Sequence, residues 1–264
     1  MIKTLACAAL LSTLLPVAAY AQSPDEPAAK EPRRVRVGLG ARIVPTFLGS
    51  AETQLSPYWD FAVTRGSKPF EFEAADESFG FPLLRASGFE FGPAASFEGS
   101  RRRKETGVAM DEVGFTVEAG GFAQLWLAPA LRVRTEVRKG IGGHRGWVGS
   151  AGADYVIRDG DRYDFSVGPR VRLSDRTYQE AYFGVNAREA AATGLSPYRP
   201  GPGVHSVGAV SGMHYSLGGR WGLVGYARYD RLVGDAARSP FIRTAGKRDQ
   251  LSGGLGLSYI FGRR

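Results

Sequence analysis

Cysteine is all but missing from this 264-residue chain. The single one, Cys7, lies near the start, ahead of a small-residue cleavage pattern. A chain that keeps no thiol beyond that point has no disulfide framework, no thiolate nucleophile and no cysteine metal ligand. Histidine is nearly as scarce. His144, His205 and His214 are the three, and none has a carboxylate or cysteine at ligand spacing, whereas zinc takes three or four converging ligands. No metal or cofactor is expected. His205-Ser206 is the one pair that invites a nucleophile-and-base reading. Neighbours along a strand point to opposite faces, however, so these two cannot hydrogen-bond to each other. Gly-x-Ser-x-Gly and Gly-x-Gly-x-x-Gly in a strand-to-helix setting are absent as well. No catalytic residue is expected, and the chain does not read as an enzyme. Long apolar runs are also lacking: no window past the first residues approaches the ~20 residues of a spanning helix.

What is present begins with an export signal. Lys3 supplies a positive start, Leu5 to Val17 an apolar core, and Ala19-Tyr20-Ala21 a cleavage site before Gln22. The expected organisation is a signal peptide over 1–21, a Pro-rich disordered lead-in over 22–34, and one domain over 35–264. From Val35 onward apolar residues fall on alternate positions. Val35, Val37, Leu39, Ala41 and Ile43 oppose Arg36, Gly38, Gly40 and Arg42; Leu55, Pro57, Trp59, Phe61 and Val63 oppose Tyr58, Asp60 and Thr64. The pattern recurs at 70–73, 89–98, 113–127, 131–138, 147–157, 163–173, 177–185, 207–217, 221–230 and 250–261. Period two is the strand signature. Stretches as long as 113–127 exceed ordinary sandwich strands and suit tilted membrane strands. The sequence therefore predicts an all-β transmembrane antiparallel barrel of about 12 strands with both termini periplasmic. Pro93 and Pro169 interrupt the pattern and are expected at bulges or strand ends. On this orientation the Gly99–Asp111 connection is periplasmic, although it is long for a periplasmic turn.

The closing stretch, Gln250 to Phe261, has an apolar face of Leu251, Leu255, Leu257, Tyr259 and Phe261, and a small face of Ser252, Gly254, Gly256 and Ser258. Gly256, Tyr259 and Phe261 form a candidate signal for the barrel-assembly machinery. Closure of the wall would pair this strand with the first one, and the small face would leave room for Arg36 and Arg42. The inward parity collects Arg36, Arg42, Arg132, Arg134, Arg138, Arg170, Arg172 and Arg228 against Asp60, Glu71, Glu73, Glu90, Glu98, Glu118, Glu136, Asp154, Asp164 and Asp230. The two sets nearly cancel. A selective pore carries one sign in excess, so this reads as an ion-pair ladder filling the lumen, with Arg36, Arg42, Arg132, Arg134, Arg170, Arg172, Arg228, Glu71, Glu73 and Glu118 as its core. The net charge of +8 then resides at the ends. Arg101, Arg102, Arg103 and Lys104 form a candidate docking cluster for an acidic periplasmic partner, beside Arg33-Arg34 and Arg263-Arg264. Arg238, Arg243, Lys247 and Arg248 would meet lipopolysaccharide phosphates on the other side.

The blocks GLGARIVPTFLGS at 38–50, IGGH at 141–144, AYFGV at 181–185 and RLVGDAARSPFI…GKRDQLSGGLGLSYIF at 231–261 resemble the MltA-interacting protein (MipA/OmpV) family. The resemblance implies an integral outer-membrane location and a non-catalytic scaffold linking a lytic transglycosylase to a penicillin-binding protein. Other members imply the alternative of a porin-like or receptor barrel for small polar solutes, or an adhesin. Expected partners are outer-membrane lipid and lipopolysaccharide, the assembly machinery and those murein enzymes. Nucleic acid is not among them.

Overall fold

A computed structural model describes residues 31–262. The expected leader over 1–21, its cleavage at Ala21, all but the last four residues of the lead-in, and Arg263-Arg264 lie outside the described residues. Ten long strands make the wall: β1 (Arg33–Pro45), β2 (Thr53–Arg65), β5 (Phe89–Glu98), β6 (Thr116–Ala128), β7 (Leu131–Gly142), β8 (Trp147–Asp159), β9 (Tyr163–Ser174), β10 (Gly203–Gly218), β11 (Trp221–Leu232) and β12 (Asp249–Phe261). Two short ones, β3 (Phe79–Gly80) and β4 (Leu84–Ala86), both pair with β5. The sheet runs β2-β1-β12-β11-β10-β9-β8-β7-β6-β5-β3, and every ladder is antiparallel. It curls enough for Arg34 of β1 to bond Asp161, in the turn between β8 and β9, at 2.7 Å. Among the described residues no helix is long and apolar enough to cross a membrane.

Burial is inverted relative to a water-soluble protein. Leu39, Ile43, Leu55, Val137, Ile157, Leu255 and Leu257 are exposed, whereas Arg36, Arg132, Arg134, Arg170, Glu118, Glu136 and Asp154 are buried. Alternation explains both halves: one parity faces outward to lipid and the other inward to the lumen. Aromatic rings gather in rows on the outer face. Trp59, Phe79, Phe97 and Phe115 follow one another at 5.2 to 6.1 Å, and Trp221, Tyr259 and Phe261 at 4.8 to 4.9 Å. Such rows mark the two interfaces of a membrane barrel.

The count of twelve strands agrees with the sequence, but two members differ. Residues 70–73, which alternate like a strand, leave the wall and run through the lumen. Residues 177–185 form α1 (Arg176–Phe183), capped by the Asp175 carboxylate, which accepts from the Tyr178 amide. Aromatic residues at 178, 182 and 183 satisfy either a strand or one turn of helix, and packing decides for helix. The other helices are α2 (Ala187–Thr193), α3 (Gly234–Arg238) and α4 (Pro240–Ala245).

The strand directions define two ends. The turns 86–89, 128–131, 159–163 and 218–221 lie at the end that holds Arg33 and Phe261; the connections 46–52, 99–115, 143–146, 175–202 and 233–248 lie at the far end. The long 99–115 connection is therefore opposite the termini, which corrects the placement read from loop lengths. The two prolines also find their reasons. Pro93 stands opposite the break between β3 and β4, where the register shifts by one. Pro169 has no N–H to give, and the Arg170 guanidinium donates to the Ala153 carbonyl at 3.1 Å instead.

β12 pairs with β1, with Gly254 opposite Arg42 and Gly256 opposite Gly40. Arg36 sits opposite Ile260, so it is not beside the small face. The space is used by Tyr58 and Tyr226, whose rings meet 5.3 Å apart. A Cβ on Gly254 would lie 2.9 Å from both Arg42 Cβ and Tyr226 Cε1, and one on Gly256 2.7 Å from the Leu39 carbonyl oxygen. Gly256→Leu thus strikes backbone and Gly254→Leu strikes side chains. Both are expected to lower the yield of folded barrel in detergent, Gly256→Leu more severely, as read from the shift between heated and unheated bands on a gel.

Candidate functional site

The lumen is built from arginines on β7, β9 and β11 and carboxylates on β6, β7, β8 and β11. Arg132 is fully buried and bonds Asp154 at 2.8 Å as well as Glu77. Arg134 reaches Glu136 at 2.7 Å, and Arg138 reaches Glu118 at 2.9 Å and also Glu136. Arg170 bonds Asp154 at 2.6 Å and Asp76 at 3.1 Å. Arg172 bonds Asp76 at 2.7 Å and also Asp230, which in turn receives Arg228. Arg36 of β1 pairs with Asp60 of the adjacent β2 at 2.9 Å. Charges buried this deeply persist only when paired and hydrogen-bonded. Two of the arginines also lie against rings, Arg132 4.5 Å from the Phe72 centroid and Arg134 3.9 Å from that of Phe122.

Three residues assigned to this ladder from parity make no ion pair within it. Glu71 pairs with Arg85 at 2.7 Å in an exposed setting. Glu73 and Arg42 have no ion pair among the described residues. The two that parity missed, Asp76 and Glu77, come from residues 66–78, a strap crossing the lumen from β2 to β3. The Phe70 amide donates to Asp161 at 2.9 Å and its carbonyl accepts from Arg158 at 2.6 Å. Its ring lies under Arg34 and Arg36 at 5.1 and 5.2 Å. Ser78 donates to Glu136 before the chain rejoins the wall. No period marks Asp76 and Glu77 as inward, so their chemistry was not legible from spacing. A cavity of about 40 Å³ remains between the strap and β7, β8 and β9.

The far end is covered by a cap with its own apolar core of Phe47, Met110, Val113, Tyr178, Tyr182, Phe183, Val185, Leu232, Phe241 and Ile242. Arg101 belongs to this core. It is 2% exposed, donates to the Tyr182 and Asp111 carbonyls at 2.9 Å each, and lies 5.4 Å from the Phe241 ring. The sequence grouped it with Arg102, Arg103 and Lys104 as a docking cluster beside the termini. The structure corrects this: Arg101 is a cap residue, and the exposed Arg102, Arg103 and Lys104 are at the end opposite Arg33-Arg34. Asp235 ties the cap together, accepting from the Gly201 amide at 2.6 Å and from Arg238. The Gly201 amide, followed by Arg238, holds its carboxyl below the usual carboxylate range. A depressed pKa gives stability that is present above the unfolded value of about 3.9 and lost as pH falls through the folded one. Hydrogen exchange at Gly201 is thus expected to accelerate at the acid end, below ~pH 4, relative to Asp235→Asn, which should be insensitive there.

His144 and His205 pack beneath the cap. His144 meets Glu118 at 3.0 Å under Tyr178, and His205 meets Ser174 at 2.9 Å with Tyr178 and Phe183 over it. His205 thus pairs with Ser174 and not with Ser206, in a buried spot. Among the described residues no group of three metal-ligating side chains converges.

The model of the family described as "MltA-interacting protein MipA" matches residues 37–261, from within β1 to the end of β12. The chain belongs to the MipA family. Solved structures similar to this family member include the translocator domain of the autotransporter NalP from Neisseria meningitidis, at 14% identity over 89% of this chain and 90% of that one, TM-score 0.35. The toluene transporter TbuX of Ralstonia pickettii is similar at 9% identity over 89% and 90%, TM-score 0.36. The CymD monoaromatic hydrocarbon channel is similar at 8% over 89% of each, TM-score 0.36. No curated protein sequence matches this chain. The protein is an outer-membrane β-barrel of the MipA family.

Proposed function

We propose that this barrel is a membrane anchor for murein-remodelling enzymes, a lytic transglycosylase and a penicillin-binding protein, and that it performs no catalysis itself. The observation that carries the reading is the lumen. It is crossed by the strap, bridged by buried ion pairs and covered at the far end by a packed apolar cap, which suits an anchor better than an open conduit. The family's description, an interactor of a lytic transglycosylase, supports the same reading. In this reading the end holding the termini faces the periplasm. Arg33, Arg65, Lys68, Arg162 and Arg220 are exposed there and take the docking role that Arg101–Lys104 cannot have on that side. Crosslinking in intact cells, followed by identification of the attached proteins, tests it. Murein enzymes should be recovered with the parent and lost at low salt when Arg33, Arg65, Lys68 and Arg220 are changed to Ser; recovery of none with the parent would refute the reading.

A further inference from the structure

The strap supplies two of the carboxylates in one connected ion-pair network of the lumen. In the connected network, six arginines (Arg132, Arg134, Arg138, Arg170, Arg172 and Arg228) meet four wall carboxylates, Glu118, Glu136, Asp154 and Asp230. The missing two negative charges are Asp76 and Glu77 of the strap. Guanidinium forks bind carboxylate and phosphate oxygens interchangeably, so Asp76 and Glu77 occupy the position of a small dianion.

The wall has a place for the strap to go. β2 runs from the far end toward the termini, and so does the β3–β4 stretch, because both read downward against antiparallel neighbours. β3 and β4 share one rung against β5, so the wall has eleven rungs, and its two free edges run the same way. Among the described residues no backbone hydrogen bond joins them; the Trp59 and Phe79 rings stack across the gap at 5.2 Å. An unpaired edge facing hydrocarbon is costly. One strand running the opposite way would pair with both edges and bring the rungs to an even number. The strap runs that way, and both its turns are already formed. Lys68 N–H donates to the Arg65 carbonyl at 3.3 Å, and Glu77 N–H to the Ala74 carbonyl at 3.1 Å. Continuing these turns as hairpins sets Phe61, Phe72 and Phe79 side by side, and likewise Val63, Phe70 and Phe81. Facing residues share a side of the sheet, and Phe61, Val63, Phe79 and Phe81 are all outward and exposed. The alternation of Phe70-Glu71-Phe72-Glu73 fits that position too.

We propose that Arg132, Arg134, Arg170 and Arg172 form a binding site for a small dianion, phosphate or a dicarboxylate, which Asp76 and Glu77 fill until the strap moves into the gap between β2 and β3. This goes beyond the anchor reading and stands or falls separately from it. The test uses the full mature chain, which has no other cysteine, refolded in detergent. Phe61→Cys/Phe72→Cys places one thiol outside and one in the lumen in the present structure, so a disulfide forms only with the strap in the wall. Trp59→Cys/Phe79→Cys, joined by a short bifunctional maleimide, reports the opposite position. Inorganic phosphate is expected to raise the first product severalfold and lower the second, relative to chloride at equal ionic strength. Asp76→Asn/Glu77→Gln should do the same without phosphate and bind phosphate measurably by calorimetry. If the folded band is lost in the first pair, Val63→Cys/Phe70→Cys replaces it. Folded protein that never forms either outward disulfide overturns the proposal, as does formation unaffected by both phosphate and the strap variant.

Discussion

Arg132→Met should destabilise the barrel by about 3–5 kcal/mol, the cost of leaving buried charges without their partner. Arg132 is fully buried and answers both Asp154 and Glu77. Methionine fills much of the volume over Phe72 but strands two carboxylates. Asp154 keeps Arg170 at 2.6 Å, whereas Glu77 keeps only Arg134, at 3.7 Å. Combining Arg132→Met with Glu77→Gln should therefore recover a large part of the loss, while Arg132→Met with Asp154→Asn should recover less because it removes one of the two carboxylates that Arg170 bonds, leaving it Asp76 alone. Urea titration of the refolded protein, followed by tryptophan fluorescence, measures all of these as a cycle. Equal loss in the single and double variants would show that packing over Phe72, and not charge, is what Arg132 supplies.

Phe241→Ala carries the second large effect, about 3–5 kcal/mol for truncating a core phenylalanine, and it should fall on the cap alone. Phe241 has no exposed surface, stacks on Phe47 at 6.0 Å and lies under Arg101. Its removal opens a cavity among elements from four connections, which meet the wall only at strand ends such as Leu232 of β11 and Val148 of β8. Hydrogen exchange should rise through α1, α3 and α4 while β5 to β9 stay protected. Replacing Arg102, Arg103 and Lys104 together should leave both untouched, since these side chains are exposed; uniform loosening of wall and cap by Phe241→Ala would mean the two are not separate cooperative units.

The wall was legible because lipid and lumen impose opposite demands on alternate residues, and one chain of Leu39, Arg36 and Ile43 already shows both. The lumen arginines followed from the same parity. Asp76 and Glu77 did not, because the strap has no ladder and hence no parity that relates it to the wall. Arg101 was misread for a related reason: four basic residues in a row look solvated, and only the cap's tertiary packing singles out one of them. At 177–185, tyrosine and phenylalanine spacing fitted strand and helix alike, and the Asp175 cap was the local signal that could have decided it. The 70–73 stretch is subtler, since its alternation describes the gap in the wall better than the place it occupies.

The eleven-rung wall bears on how fast the chain can fold. Every ladder from β5 through β12 joins neighbours in sequence and can zip from one turn to the next. β1 pairs with β12 across nearly the entire chain, and the β2 edge offers no second ladder to share the search. Loop closure of that length comes before any of its contacts reward it. The β1–β12 ladder is thus expected to be the slow step of refolding, with the β1–β2 hairpin the last piece of the wall to arrive.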